Sequence, residues 1–381
     1  MGVLLIKGGR VLDPANRIDR VEDVAIENGK ILSPKEFSGD VQFTVDATDC
    51  IVTPGLIDHH VHLYPLIPNG IPAEAVSFAA GVTTVVDAGS TGCSTYPLHR
   101  SFLETSKLNI FCWLNVCTSG LASLPIVEDV NPANYNPTRI AACFEKYGDR
   151  LMGLKLRTSK NIVRELGYEP LRETVKLANS LGVPVMVHCT NPPGPMEELL
   201  DILRPGDVLT HMYQNIGPTI LDESGHVSAA AKSAREKGVV FEAADARAHF
   251  SFEVSEPSIK EGFLPDIIAT DLTVLSMYQR PTSFSLAMQL NKYMYLGLSL
   301  EEVITRCTLN PAKRMGCLGE IGTLTPGAAA DVAVFRPENS NNTFGDRPFY
   351  EKDGVIRSGK LSLRPVLTVK NGEIVYRDIS F

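Results

Sequence analysis

The segment from Gly55 to Pro65 reads GLIDHHVHLYP and sets three histidines within four residues directly behind the apolar run IVTPGLI. Histidine adds little to a core, so the cluster asks for a chemical reason. If the run is a strand, His60 and His62 share one face and His59 points to the other. Two imidazoles at that spacing can hold one ion. Four more residues stand in similar places: Lys155 within GLKLR, His188 closing PVMVH, His211 closing VLTH and Asp271 closing IIATD. Each alone has an ordinary reading. A lone His-X-His is more often unremarkable than a ligand pair, and a single lysine reads as reaching for solvent. A single histidine reads as a hydrogen-bonded core residue, and a single aspartate as a helix N-cap. Together they sit at the same end of separate strands, and that joint placement points to a metal site.

The elements that position them are short apolar runs at 51–62, 81–89, 109–116, 151–157, 183–189, 207–213, 238–245 and 266–272, separated by helical spacers such as GYEPLRETVKLANSLG and VSAAAKSAREKG. Continuous apolar strands alternating with helices predict a parallel sheet covered on both faces. Eight such units predict an α/β fold, a (β/α)8 TIM-like barrel with its chemistry at the carboxyl ends of the strands. An open doubly wound sheet is the alternative, but the chain has no GxGxxG or GxxxxGK[ST] motif for a nucleotide-binding version. Both ends read as β-rich. Asn28-Gly29 and Asn371-Gly372 each lie between apolar runs, a strong hairpin signal. The expected organisation is a small β-sandwich from residues 1–52 and 322–381 around the barrel at 53–321. The polar stretch from Arg336 to Arg364 reads as a long loop or insertion.

Composition narrows the function. The chain has 381 residues, 44% hydrophobic and 21% charged, with a net charge of -8. That balance, without a basic cluster, argues against a nucleic-acid binder. The first apolar patch is broken at Lys7, and no run approaches the ~20 residues of a membrane span, so neither export nor a membrane is expected. The Met-Gly start lacks Ser or Thr at the sixth residue, which is Ile6, and so departs from an acylation signal. Eight scattered cysteines form no CxxC pair and fit reduced thiols in cytoplasm.

GLIDHHVH, followed in order by the lysine, two single histidines and a late aspartate, resembles the amidohydrolase superfamily, in particular its dihydroorotase-like and deacetylase group. GVTTVVDAG and TLNPAKRMG…GEIGTLTPGAAADVAVF are similar to further signatures of that family. The likeness runs almost end to end. It implies two divalent ions, most often zinc, one held by His60, His62 and Asp271 and the other by His188 and His211. Lys155 would bridge them as a carbamate formed with carbon dioxide. A metal-bound hydroxide would attack a carbonyl, with Asp271 as catalytic base and then acid. All six ligand positions are filled, which argues against a vestigial scaffold.

Specificity is less legible. Arg157 shares the face of Lys155 nearer the mouth and suits a substrate carboxylate, although a rim salt bridge fits it equally. His249, in DARAHFSF, and Tyr213, on the face of His211, are further substrate-contact candidates, with Arg247 and Arg280 as weaker ones. Asp58 reads as an orienting carboxylate, His59 as support or surface, and CTNPPGPMEE as a stiff wall of the pocket. The expected substrate is a small acylated acid, such as an N-acyl amino acid or O-acetyl hydroxy acid, cleaved at its amide or ester bond. The alternative is a cyclic amide, opened as by a dihydroorotase or hydantoinase. A mononuclear deaminase fits less well, because HCTNPP lacks the expected His-x-x-Glu. Barrels of this kind often assemble, so a homo-oligomer is an open expectation.

Overall fold

The structure, a computed structural model, describes residues 2–33, 40–123, 128–347 and 353–381. Its centre is a sheet of eight parallel strands: β1 (Leu56–Val61), β2 (Val82–Gly92), β3 (Asn109–Asn115), β4 (Leu151–Arg157), β5 (Val185–His188), β6 (Val208–Thr210), β7 (Val240–Ala244) and β8 (Ile267–Ala269). Each pairs with the next in chain order. The ends close on each other, because Asp271 N donates to His60 O at 2.8 Å and His62 N to Leu272 O at 3.0 Å. The expected barrel is therefore the fold. Its strands are rich in β-branched and aliphatic residues because both faces are covered; β2 is buried along its whole length. Val86, Ala88, Trp113, Met186 and Val208 form one buried cluster. Helices such as Glu169–Leu181 and Ala229–Lys237 link successive strands, and both stop at a left-handed glycine, Gly182 and Gly238.

Strands from both termini form two further sheets. One is ordered Lys30–Ile31, Val24–Glu27, Val3–Lys7, Val41–Asp46. The other is ordered Glu373–Arg377, Ile356–Lys370, Val332–Gly345, Ile51–Pro54, Arg10–Asp13, Ile18–Val21. Ile6, Val11, Val52, Val332 and Val366 lie in the apolar cluster they share. Both Asn-Gly pairs turn hairpins, with φ of 50° and 75° at Asn28 and Gly29 and 49° and 82° at Asn371 and Gly372.

The stretch 336–364 is not the long loop expected. Val332–Gly345 and Ile356–Lys370 form an antiparallel hairpin paired from Val332↔Val369 to Gly345↔Ile356. Its outer half alternates between exposed and partly buried residues, so backbone pairing rather than apolar side chains marks it as strand. Gly345 N donates to Pro281 O at 3.1 Å, which ties the hairpin to the segment after β8. Residues 348–352 of that stretch lie outside the described residues. Among the described residues no helix is long and apolar enough to cross a membrane.

Candidate metal centre

The site is built at the carboxyl ends of the strands, and β1 departs first from expectation. Its pairing with β2 shifts register between Asp58 and Val61, which breaks simple alternation. His59 consequently does not point away from the site. Its Nδ1–H donates to Glu242 Oε1 at 2.6 Å, while His60 Nδ1–H donates to Glu242 Oε2 at 2.8 Å. His59 is fully buried, so the surface alternative for it is overturned. Glu242 lies on β7. Burial pushes its carboxyl up, but the charge and N–H groups of His60 and His59 outweigh this and hold it well below the usual carboxylate range. A carboxylate can only accept, so it fixes one proton of His60 on Nδ1 and leaves Nε2 as the nitrogen that can ligate.

That nitrogen faces Asp271. His60 Nε2 is 3.4 Å and His62 Nε2 3.2 Å from Asp271 Oδ1. His62 Nδ1 meets Ser90 Oγ at 2.9 Å. Asp58 braces the approach to Asp271, accepting from Thr270 N at 3.1 Å and Thr270 Oγ1 at 2.7 Å. His211 donates its Nδ1–H to Ala244 O at 2.6 Å, leaving Nε2 buried and, among the described residues, without a hydrogen-bond partner. His188 joins it with ring centroids 4.3 Å apart. Burial, then mutual repulsion among the imidazoles, holds His188 and His211 well below the ordinary histidine value, in the neutral form a metal ligand needs. Asp271 and His211 both hold positive φ, 52° and 68°, a strained backbone at the residues that aim into the cup.

Lys155 Nζ is buried and, among the described residues, has no hydrogen-bond partner. Burial lowers its amine to about 8. Its stem lies against Gly89, where an added Cβ would stand 2.5 Å from Lys155 Cγ, so β2 carries glycine to admit the lysine. Ligand atoms of His60, His211 and Asp271 lie within 4.8 Å of one another, as do those of His188, His211 and His249. Imidazole nitrogens and a carboxylate meet in one cup beside the lysine amine, and histidine with aspartate is a donor set that suits divalent ions.

The remaining candidates divide. His249 enters the cup, with Nδ1 at 2.8 Å from Thr190 Oγ1 and Nε2 at 3.5 Å from Asp271 Oδ2. Thr190 belongs to the proline-rich segment after β5. Arg157 is a quarter exposed and donates to Glu128 Oε2 at 2.9 Å. Arg247 is half-buried, and the exposed Arg280 stacks over Phe284 at 4.1 Å. Tyr213 is a correction: its side chain is fully buried and its hydroxyl donates to Phe263 O at 3.0 Å, so it is packed behind the site instead of facing it. Sequence reasoning passed over Glu242, Ser90, Thr190 and Glu128. The signal for Glu242 was a lone acid within the apolar run VVFEAA.

A closed parallel barrel with this cup at its carboxyl end has the layout of a barrel enzyme with a centre suited to metal ions. Residues 51–375 match the amidohydrolase family, and the chain belongs to it, as a hydrolase acting on C–N bonds. It is 33% identical over 302 residues to a deacetylase of Agrobacterium fabrum, covering 76% of this chain and 72% of that protein. It is 28% identical to a deacetylase of Enterococcus faecalis over 97% of this chain and 98% of the relative. Among solved structures it is similar to an adenine deaminase, 27% identical with a TM-score of 0.88 over 98% of this chain and 99% of that one. A dihydroorotase structure is 28% identical, with a TM-score of 0.88 over 99% of this chain and 98% of that one.

Proposed function

We propose that this chain is a metal-dependent deacylase that hydrolyses the amide or ester bond of a small acylated acid, such as an N-acyl amino acid or an O-acetyl hydroxy acid. The observation that carries the reading is the convergence of His60, His62, His188, His211 and Asp271 at one end of the barrel, where Lys155 ends in a buried amine without a partner among the described residues. The two deacetylase relatives favour a linear acyl substrate. His60, His62 and Asp271 would hold one divalent ion, zinc by preference, and His188 and His211 the other. With an amine value of about 8, roughly a tenth of Lys155 is neutral at pH 7. The neutral Nζ forms an N–C bond to carbon dioxide and releases one proton, which turns a repelling cation into an anionic oxygen donor. When bound, the ions supply a Lewis acid for the carbonyl and a water acidified to near neutrality.

The chain's own groups do the rest. Glu242 holds His60 in the ligating tautomer. Asp271, kept as a carboxylate, accepts the proton of the attacking water and returns it to the leaving nitrogen or oxygen. Arg157 gives one N–H to Glu128 and keeps other donors for a substrate carboxylate. All eight cysteines are free, which supports work in a reducing compartment such as the cytoplasm.

The dihydroorotase structure supports a second reading, opening of a cyclic amide. Zinc-loaded protein should be assayed on linear N-acyl and O-acyl acids of both chiralities, on dihydroorotate and hydantoins, and on adenine. Turnover of the linear pool alone is expected. Turnover of rings alone would replace the substrate class, and turnover of adenine alone would make the chain a deaminase.

A further inference from the structure

We propose that His249 is the third protein ligand of the ion held by His188 and His211 while Lys155 is still an unmodified amine, so that this ion loads before the lysine is carboxylated. The inference rests on the metal reading of His188 and His211 and adds an assembly step to it.

The three imidazoles come from the end of β5, the turn after β6 and the segment after β7. Their ring centroids are separated by 4.3 Å for His188 and His211, 4.3 Å for His211 and His249, and 4.9 Å for His188 and His249. One nitrogen from each lies within 4.8 Å of the other two. A tetrahedral ion with bonds of ~2.0–2.1 Å sets its ligand nitrogens roughly 3.3 Å apart. The cup therefore closes on an ion with side-chain movements of about 1 Å.

The outward nitrogens are already anchored on two of the rings. Ala244 O holds His211 Nδ1 and Thr190 Oγ1 holds His249 Nδ1. Each anchor turns Nε2 inward, and His211 Nε2 is buried without a partner among the described residues. His249 Nε2 stands 3.5 Å from Asp271 Oδ2, beyond ordinary hydrogen-bond length.

The need for a third ligand follows from Lys155. As an amine it offers no anionic oxygen, and His188 and His211 alone would leave the ion with two protein ligands. Catalytic zinc sites use three, and a trio of histidines is one of their established forms. His249 completes that trio without carbon dioxide. Once the carbamate forms, its oxygen takes the position and His249 is released to face substrate.

The test uses the full chain, wild type and His249→Ala, stripped and reloaded with Co2+ either in carbon-dioxide-free buffer or with bicarbonate. Ions per chain are counted by elemental analysis, and the visible cobalt spectrum reports ligand number. Wild type should hold this ion in both buffers, and its spectrum should change when bicarbonate is added. His249→Ala should hold one ion fewer per chain without carbon dioxide and recover it with bicarbonate. Lys155→Ala should behave as wild type does without carbon dioxide, which keeps the test usable if His249→Ala is poorly folded. Equal counts for wild type and His249→Ala without carbon dioxide would overturn the proposal. So would loss of the ion by His249→Ala in bicarbonate, or by Lys155→Ala. No ion in any sample would overturn the metal reading as well, whereas inactivity on acyl substrates would touch neither.

Discussion

Glu242→Gln is the sharpest perturbation of the centre, because it keeps shape and removes one charge. The carboxylate accepts N–H groups from His59 at 2.6 Å and His60 at 2.8 Å. An amide offers one acceptor and one donor, so it cannot serve both. If its NH2 faces His60, the imidazole must take the other tautomer and turn a hydrogen toward Asp271 in place of a lone pair. If it faces His59, that ring changes tautomer, and its Nε2, already without a partner, becomes a buried unpaired donor. Charge-assisted bonds contribute ~1.5–3 kcal/mol and neutral ones ~0.5–1.5 kcal/mol. Converting two of the first into at most two of the second costs about 2–3 kcal/mol. Loss of a carboxylate behind a metal-bound histidine typically weakens ion affinity about 10–100-fold, or roughly 1.4–2.7 kcal/mol, so the two routes agree. The assay is ion affinity by chelator competition, with far-UV circular dichroism to confirm the fold. Thr210→Val, which removes a 3.1 Å contact to the same nitrogen, should cost less. A Glu242→Gln protein that binds its ions within twofold of wild type would refute the argument that Glu242 sets the tautomer of His60.

Gly89→Ala would drive a Cβ to 2.5 Å from Lys155 Cγ at a φ of 87°. It should cost about 2–5 kcal/mol by urea unfolding, from overpacking and the left-handed backbone together, and should lower ion content per chain. Tyr213→Phe leaves the Phe263 carbonyl unpaired in a buried place and should destabilise by about 1–3 kcal/mol. Its kcat/KM should stay within about twofold of wild type, and a large fall in kcat would return Tyr213 to the site. Lys292 makes an ion pair with Asp245, which also accepts from Gln289 at 2.8 Å and Tyr293 at 3.1 Å, all fully buried. Lys292→Met should cost about 3–5 kcal/mol by leaving that carboxylate unbalanced, and adding Asp245→Asn should recover part of it. Ion removal by chelator should abolish hydrolysis reversibly and lower the melting temperature, since free ion at about a hundred times Kd stabilises by about 2.7 kcal/mol.

His60, His62, Lys155, His188, His211 and Asp271 were legible as one group because a parallel barrel turns chain order into geometry. Every strand runs the same way, so residues that end different strands gather at one rim, and apolar periodicity suffices to find the ends. The Asn-Gly hairpins were legible for an equally local reason, the need for positive φ at both turn residues. Tertiary structure alone decided the rest. The register shift in β1 put His59 beside His60, and nothing within GLIDHHVH encodes it. Glu242 became their acceptor because closure of β8 onto β1 brings the adjacent β7 to their side, some 180 residues away in sequence. Tyr213 shares a strand end with His211, yet its hydroxyl found Phe263 on a different element. The hairpin 332–345 and 356–370 escaped notice because its outer half is held by backbone bonds, which leave no side-chain pattern. Periodicity records which face a residue takes relative to its own strand, whereas a partner from elsewhere in the chain is chosen only when the whole barrel closes.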